Sequence, residues 1–100
     1  MIPAPTIALV EVEKASTRGR VSLIEGSFLM GDKRYRFSGI VVMTLGGPSV
    51  GISLAEKSEE ELKRSGLTQK QIDEIVAEVQ RRIVEGDFRM VGEVEFVEDK

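Results

Sequence analysis

The stretch that decides how this chain folds is LTQKQIDEIVAEVQRRIVEG, Leu67 to Gly86. Its apolar residues recur at the spacing i, i+3, i+4, i+7 and i+11, which places them along one side of an α-helix. Thr68 and Gln71 have the spacing of a capping box, and Gly86 follows the last periodic residue, where helices often end in a left-handed conformation. The stretch therefore predicts an amphipathic helix with both ends marked. Its apolar stripe consists of Ile72, Ile75, Val76, Val79 and Ile83.

This helix needs a surface to pack on. Its stripe is rich in isoleucine and valine, whose β-branched side chains have only a modest intrinsic preference for helix. We therefore expect tertiary burial, rather than local propensity, to stabilise it. The rest of the chain must supply the apolar surface.

The remaining chain has the alternating pattern of β-strands, with a second, shorter helix before the long one. Strands are predicted over 6–13, 21–30, 33–45, 50–54 and 87–98, and a short helix from Ser58 to Gly66. The order ββββ-α-α-β predicts an α+β fold. We expect a mainly antiparallel sheet of about five strands, with the long helix packed on one face and the last strand returning beside the first.

The composition predicts a single domain over residues 1–100, with residues 1–5, which contain two prolines, as an extended lead-in. The chain contains no cysteine and no histidine, so the commonest metal ligand and the commonest general base are both missing. We expect neither a metal site nor a cofactor. The charge is uneven, because residues 1–55 carry six basic and four acidic side chains, whereas residues 56–100 carry eight and thirteen.

The sequence shows no signal peptide and no apolar run approaching the ~18 residues of a membrane span. We therefore expect a soluble, cytoplasmic protein without a membrane partner. About a third of the residues are charged, with few asparagines, a balance that favours a thermophilic source.

The most informative functional signal is a surplus of apolar residues on the strands. Ile7, Leu9, Ile40 and Val42 are predicted to lie on the face of the sheet opposite the helix. A single helical layer covers only one face, so these residues would form an exposed apolar patch, which usually marks an interaction site. The alternative is that the sheet curls and buries both of its faces. We expect a non-catalytic homo-oligomer, most simply a dimer, although another protein could also be the partner.

A different function is suggested by the arginines near the segment KRYRF, residues 33–37. Basic residues interleaved with aromatic ones can grip the backbone and stack on the bases of single-stranded nucleic acid. The contacts would be Arg18, Arg20, Arg34 and Arg36. The order of strands followed by a helix resembles that of Whirly-type single-strand binders, whose dimers present a sheet surface to the strand. The alternation disfavours stacking, because Tyr35 and Phe37 point away from the arginines and into the predicted core.

Enzyme activity is not expected. The glycine-rich segment Thr44–Gly51 lacks the lysine and the following helix of a phosphate-binding loop. Glu59, Glu60 and Glu61 stand in the first turn of the predicted short helix, where negative charge is favoured by the helix dipole. Neither pattern forms a paired catalytic constellation.

Overall fold

The computed structural model describes the backbone of residues 6–96 and the side chains of residues 6–92. The predicted lead-in over residues 1–5 and the end of the predicted last strand lie outside the described residues. The α+β class and the element order ββββ-α-α-β are confirmed. The elements are β1 (Ile7–Arg18), β2 (Val21–Met30), β3 (Lys33–Thr44), β4 (Gly47–Leu54), α1 (Glu56–Arg64), α2 (Gln69–Glu85) and β5 (Arg89–Phe96).

The five strands form one sheet in the order β4-β3-β2-β1-β5. The four sequential strands pair antiparallel, and β5 returns parallel to β1 after the chain has crossed one face through both helices. The placement of the last strand beside the first is therefore confirmed. We call the face that carries α1 and α2 the helix face, and the opposite one the open face.

Helix α2 has the capping that its sequence predicts. The Thr68 hydroxyl accepts a hydrogen bond from the Gln71 backbone N–H, and the Gln71 side chain accepts one from the Thr68 N–H. Gly86 ends the helix with φ of +75°, in the left-handed region that glycine adopts without steric cost. The stripe is buried against the sheet, except that Val76 is only half-buried. It packs into one core with Phe28 and Tyr35, whose stacked rings lie 5.5 Å apart.

Strand β1 contains two irregularities that the alternation of its sequence does not show. Between Ile7 and Leu9, and again between Val12 and Lys14, β1 advances two residues while β2 advances one. These are β-bulges, at which one extra residue changes the face on which the following side chains lie. The second bulge lies beside Gly26 of β2, because Val12 is the partner of Gly26.

Two glycines make room for the second bulge. A Cβ atom on Gly26 of β2 would lie 2.1 Å from the Glu11 carbonyl oxygen, and one on Gly92 of β5 would lie 1.5 Å from the Glu13 carbonyl oxygen. Side chains are therefore excluded on both flanks of β1 at this point. The close approach of these backbones holds the bulge in place.

Two local predictions were wrong. The polar segment after Glu13 was expected to be a connection, but β1 continues through Arg18 and turns only at Gly19 and Arg20. The short helix was expected to begin at Ser58, but α1 starts two residues earlier, and the Ser58 hydroxyl accepts a hydrogen bond of 2.8 Å from the Arg36 backbone N–H. Ser58 thus ties α1 to β3.

The helices cover only part of the sheet. The molecule is 53 Å long, whereas α2, with 17 residues, spans about 25 Å. Along β3, the residues of the helix face pass from buried at Tyr35 and Phe37, through half-buried Val41, to 51% exposed at Met43. The far end of the sheet therefore projects beyond the helices. We call it the distal end; it carries the β1–β2 turn and the β3–β4 turn.

Candidate functional site

The exposed apolar side chains of the strands concentrate at the distal end. On the open face, Val21 is paired in register with Val42, and Leu23 with Ile40. Leu23 is 59% exposed and Ile40 is 43% exposed, while Val42 is half-buried. These four residues form two adjacent cross-strand pairs, which we call the open-face patch. A shallow depression of about 470 Å³ extends from Leu23 and Ile40 over Gly51, which has no side chain to fill it.

Two of the four residues predicted for the interface belong to this patch. Ile40 and Val42 lie there, on the face predicted from the alternation of β3. Leu9 is half-buried and pairs with Leu29, which is six residues and about 20 Å along β2 from Leu23. Leu9 therefore lies at the opposite end of the sheet and cannot share a small contact with Ile40.

The placement of Ile7 on the uncovered face was wrong. Ile7 is 3% exposed and belongs to the core of this chain. The cause is the first bulge of β1, because the extra residue between Ile7 and Leu9 turns Ile7 to the helix face. Its carbonyl oxygen also accepts a hydrogen bond of 2.7 Å from the Arg82 guanidinium of α2.

Val21 and Leu23 were missed as members of the patch. Their position on one face of β2 can be read from their spacing, but their neighbours are defined only by the pairing of β2 with β3. Only the register between β2 and β3 brings Leu23 beside Ile40 and Val21 beside Val42. That register follows from the two-residue turn at Gly31 and Asp32, counted back along both strands.

The other end of the open face carries a network of charged side chains. Arg34 Nη1 lies 2.6 Å from Glu11 Oε1 and also 2.6 Å from the hydroxyl of Ser27, which is fully buried. The Ser27 hydroxyl donates to Glu13 at 3.2 Å, and Arg36 Nη2 lies 3.2 Å from the second oxygen of Glu13. Both carboxylates are thus paired with arginines from β3.

This network separates the four arginines of the predicted nucleic-acid contact. Arg34 and Arg36 are neutralised by Glu11 and Glu13 at one end of the sheet. Arg20 belongs to the distal turn, where its carbonyl oxygen accepts from the Met43 N–H. Met43 lies seven residues, or about 23 Å, along β3 from Arg36. The four arginines, with Arg18 beside the distal turn, therefore do not form one basic cluster.

The helix face has an apolar cleft at the boundary between the helices and the distal end. It has a volume of about 260 Å³ and lies between the last turn of α2 and the sheet. Among the described residues that line it, Ser22 is the single polar one, and the Ser22 hydroxyl is hydrogen-bonded to that of Thr17 at 2.8 Å. We call it the helix-end cleft. Its lining residues are Val12, Ala15, Ser22, Ile24, Val41, Ile83, Phe88 and Met90.

Two other kinds of site are absent from the described residues. No group of three acidic side chains among residues 6–92 is arranged to hold a metal ion. None of the helices in that range has both the length and the apolar character needed to cross a membrane. Comparison of the chain with protein families, with curated proteins and with solved structures finds no match.

Proposed function

We propose that this protein is non-catalytic and acts by association, with the open-face patch as the surface through which two copies meet. The observation that carries the proposal is the register of β2 and β3, which places Leu23 beside Ile40 and Val21 beside Val42 on a face without a helix. Apolar surface that remains in water costs about 25 cal/mol per Å² relative to burial. Burial of the patch therefore favours association.

A second copy is the partner that the chemistry of the patch favours. A two-fold interface brings the same residues together from both sides, so it requires a surface that is complementary to itself. An apolar patch meets this condition, whereas a patch of one charge would repel its copy. Two sheets also pack face to face at about 10 Å, the separation that side chains such as Leu23 and Ile40 fill.

Two further observations support this choice over the alternatives. The pairing of Arg34 and Arg36 with carboxylates leaves less positive charge for a nucleic-acid backbone on the open face. The lack of histidine and cysteine supports a non-catalytic role, because these residues supply most general bases and thiol nucleophiles.

Analytical ultracentrifugation over a range of concentrations tests the proposal. The variants Leu23→Glu and Ile40→Glu should each weaken self-association about tenfold or more, because a charge would be buried between the two sheets. Ala77→Glu is the control, since Ala77 is exposed in the middle of α2, away from the patch. A protein that is monomeric at all concentrations, or equal loss in all three variants, would refute the role of the patch. Circular dichroism shows whether each variant is folded.

A further inference from the structure

We propose that the helix-end cleft is a second association site, which receives the distal tip of another copy of this chain with Leu45 foremost. The cleft lies on the helix face, so it is independent of the open-face patch. It is formed where the last turn of α2 stops and the sheet continues, with Ile83 and Phe88 above and Ala15, Ile24 and Val41 below.

The chain itself carries a side chain suited to this cleft. Leu45 stands in the β3–β4 turn and is fully exposed, and Met43, two residues earlier, is 51% exposed on the helix face. Both project from the distal end, beyond the helices. The cleft is larger than one leucine side chain, and almost all of its lining is apolar. A leucine from another molecule would therefore replace water there without leaving a polar group unpaired.

We call the exposed side chains of Met43 and Leu45 the knob. The charges beside the knob are complementary to those beside the cleft. Helix α2 ends at the cleft, so the negative end of its dipole and the carboxylate of Asp87 lie close to the mouth, whereas the Glu85 carboxylate is already paired with Arg81 at 2.7 Å. The Asp87 side chain is 69% exposed, and its ion pair with Arg82 is long, at 3.9 Å. The tip carries Arg20, whose exposed guanidinium has no ion-pair partner among the side chains of residues 6–92. Arg20 is joined to Met43 through their backbones, so it accompanies the apolar knob.

The positions of knob and cleft on one face allow a closed dimer. Val41 lines the cleft and Leu45 is four residues further, about 13 Å along the strand direction. A two-fold axis passing near Met43 would place Leu45 of each copy at the cleft of the other, as an isologous interface requires. The distal end of the partner would then continue the layer that α2 forms, because sheets and helices pack at similar distances from a sheet.

The decisive experiment is a charge exchange, read by the dissociation constant in sedimentation. Arg20→Glu and Asp87→Arg should each weaken the association. The double variant should recover most of the loss, because the side chains at positions 20 and 87 again carry opposite charges. Leu45→Asp should weaken it about tenfold or more, whereas Leu45→Met should retain it. In the Leu23→Glu/Ile40→Glu background, where the open-face contact is removed, an unchanged dissociation constant for Leu45→Asp, or a double variant of Arg20 and Asp87 that shows the sum of both single losses, would overturn the proposal. Leu45 and Arg20 are exposed turn residues, so these changes should leave folding intact.

A double variant of the open-face patch distinguishes association through the helix-end cleft from association through that patch. In Leu23→Glu/Ile40→Glu, the open-face contact is removed, so we expect a dimer that Leu45→Asp then dissociates. If this background is already monomeric while the wild type associates, the helix-end cleft is not an association site and the open-face patch is. If the background associates like the wild type and Leu45→Asp alone dissociates it, the cleft is the site and the role of the patch is refuted.

Discussion

Arg34 joins β3 to β1 across the strand that separates them, with its Nη1 atom 2.6 Å from Oε1 of Glu11. The Glu11 side chain is 11% exposed, although it lies on the face without a helix. A carboxylate so far removed from water depends on its hydrogen-bond donors. The network of Arg34, Ser27, Glu11 and Glu13 therefore stabilises the packing of three strands, and its charges are paired.

Replacement of Arg34 by leucine should lower the free energy of unfolding by about 1–3 kcal/mol, because the Glu11 carboxylate would lose its charged donor. Arg36→Leu is the control, since its ion pair with Glu13 is more exposed to solvent. That variant should lose at most about 1 kcal/mol. Urea unfolding measures both values, and equal losses would contradict the distinction between the two pairs.

Alanine at Gly26 should destabilise the protein by at least about 2–3 kcal/mol, because its Cβ would lie 2.1 Å from the Glu11 carbonyl oxygen. The neighbouring backbone would have to move, and with it the bulge of β1. Gly51→Ala is the matched control in the same sheet, where the nearest atom to the added carbon is 3.5 Å away. Thermal unfolding should show a large drop for the first variant and little change for the second. A mild effect of Gly26→Ala would mean that the bulge is not held by close approach.

Thr68→Ala should reduce stability by about 1 kcal/mol, because it removes the hydroxyl that accepts from the Gln71 N–H at the start of α2. The exposed Lys70 lies two residues along the same turn and takes no part in the capping box, so Lys70→Ala serves as the control. Denaturant titration of both variants measures the difference. Indistinguishable midpoints would show that the capping box contributes nothing to the folded state.

Tyr35 should ionise at higher pH than an exposed tyrosine. Its burial, and secondly the negative charge of Glu61, raise the pKa of the phenol above its ordinary value of 10.0. Because the pKa is higher in the folded state than in the unfolded state, the corresponding stability is fully present below pH ~10. It is lost as the pH rises through the folded-state pKa.

The chain has one tyrosine and no tryptophan, so the ultraviolet absorbance of tyrosinate reports this group alone. A titration in the native state should give a midpoint above that of the urea-unfolded chain. Glu61→Gln should move the native midpoint part of the way down, since burial is the larger cause. Coincident midpoints in native and unfolded protein would contradict the burial of Tyr35.

The elements that could be predicted from sequence are those with local signals. The ends of α2 depend on Thr68, Gln71 and Gly86, which contact groups within one turn of their own position. Strand β3 has no bulge, so the alternation of its residues placed Ile40 and Val42 correctly, on the face opposite Tyr35 and Phe37. The element order then limited the fold class, because strands followed by helices favour an α+β arrangement.

The candidate sites depend on contacts that these local signals do not contain. Ile7 was assigned to the wrong face because the bulge before Leu9 arises from the pairing of β1 with β2. Leu23 became part of the patch only through its register with Ile40. The pairing of Arg34 with Glu11 joins residues 23 positions apart, on strands that are not neighbours.

Local patterns in the sequence were enough to predict the helix that covers the sheet, the number of strands and their positions along the chain, and the two faces of β3. Only the tertiary structure decided how far the helices reach, and so which apolar residues at the distal end remain exposed. The physical reason is that helix caps and side-chain alternation are set by residues close together in the chain. The part of the sheet that the helices cover, the register of the strands and their bulges are set by the packing of whole elements against one another. A shift of one residue in strand pairing turns a side chain from the core to the solvent.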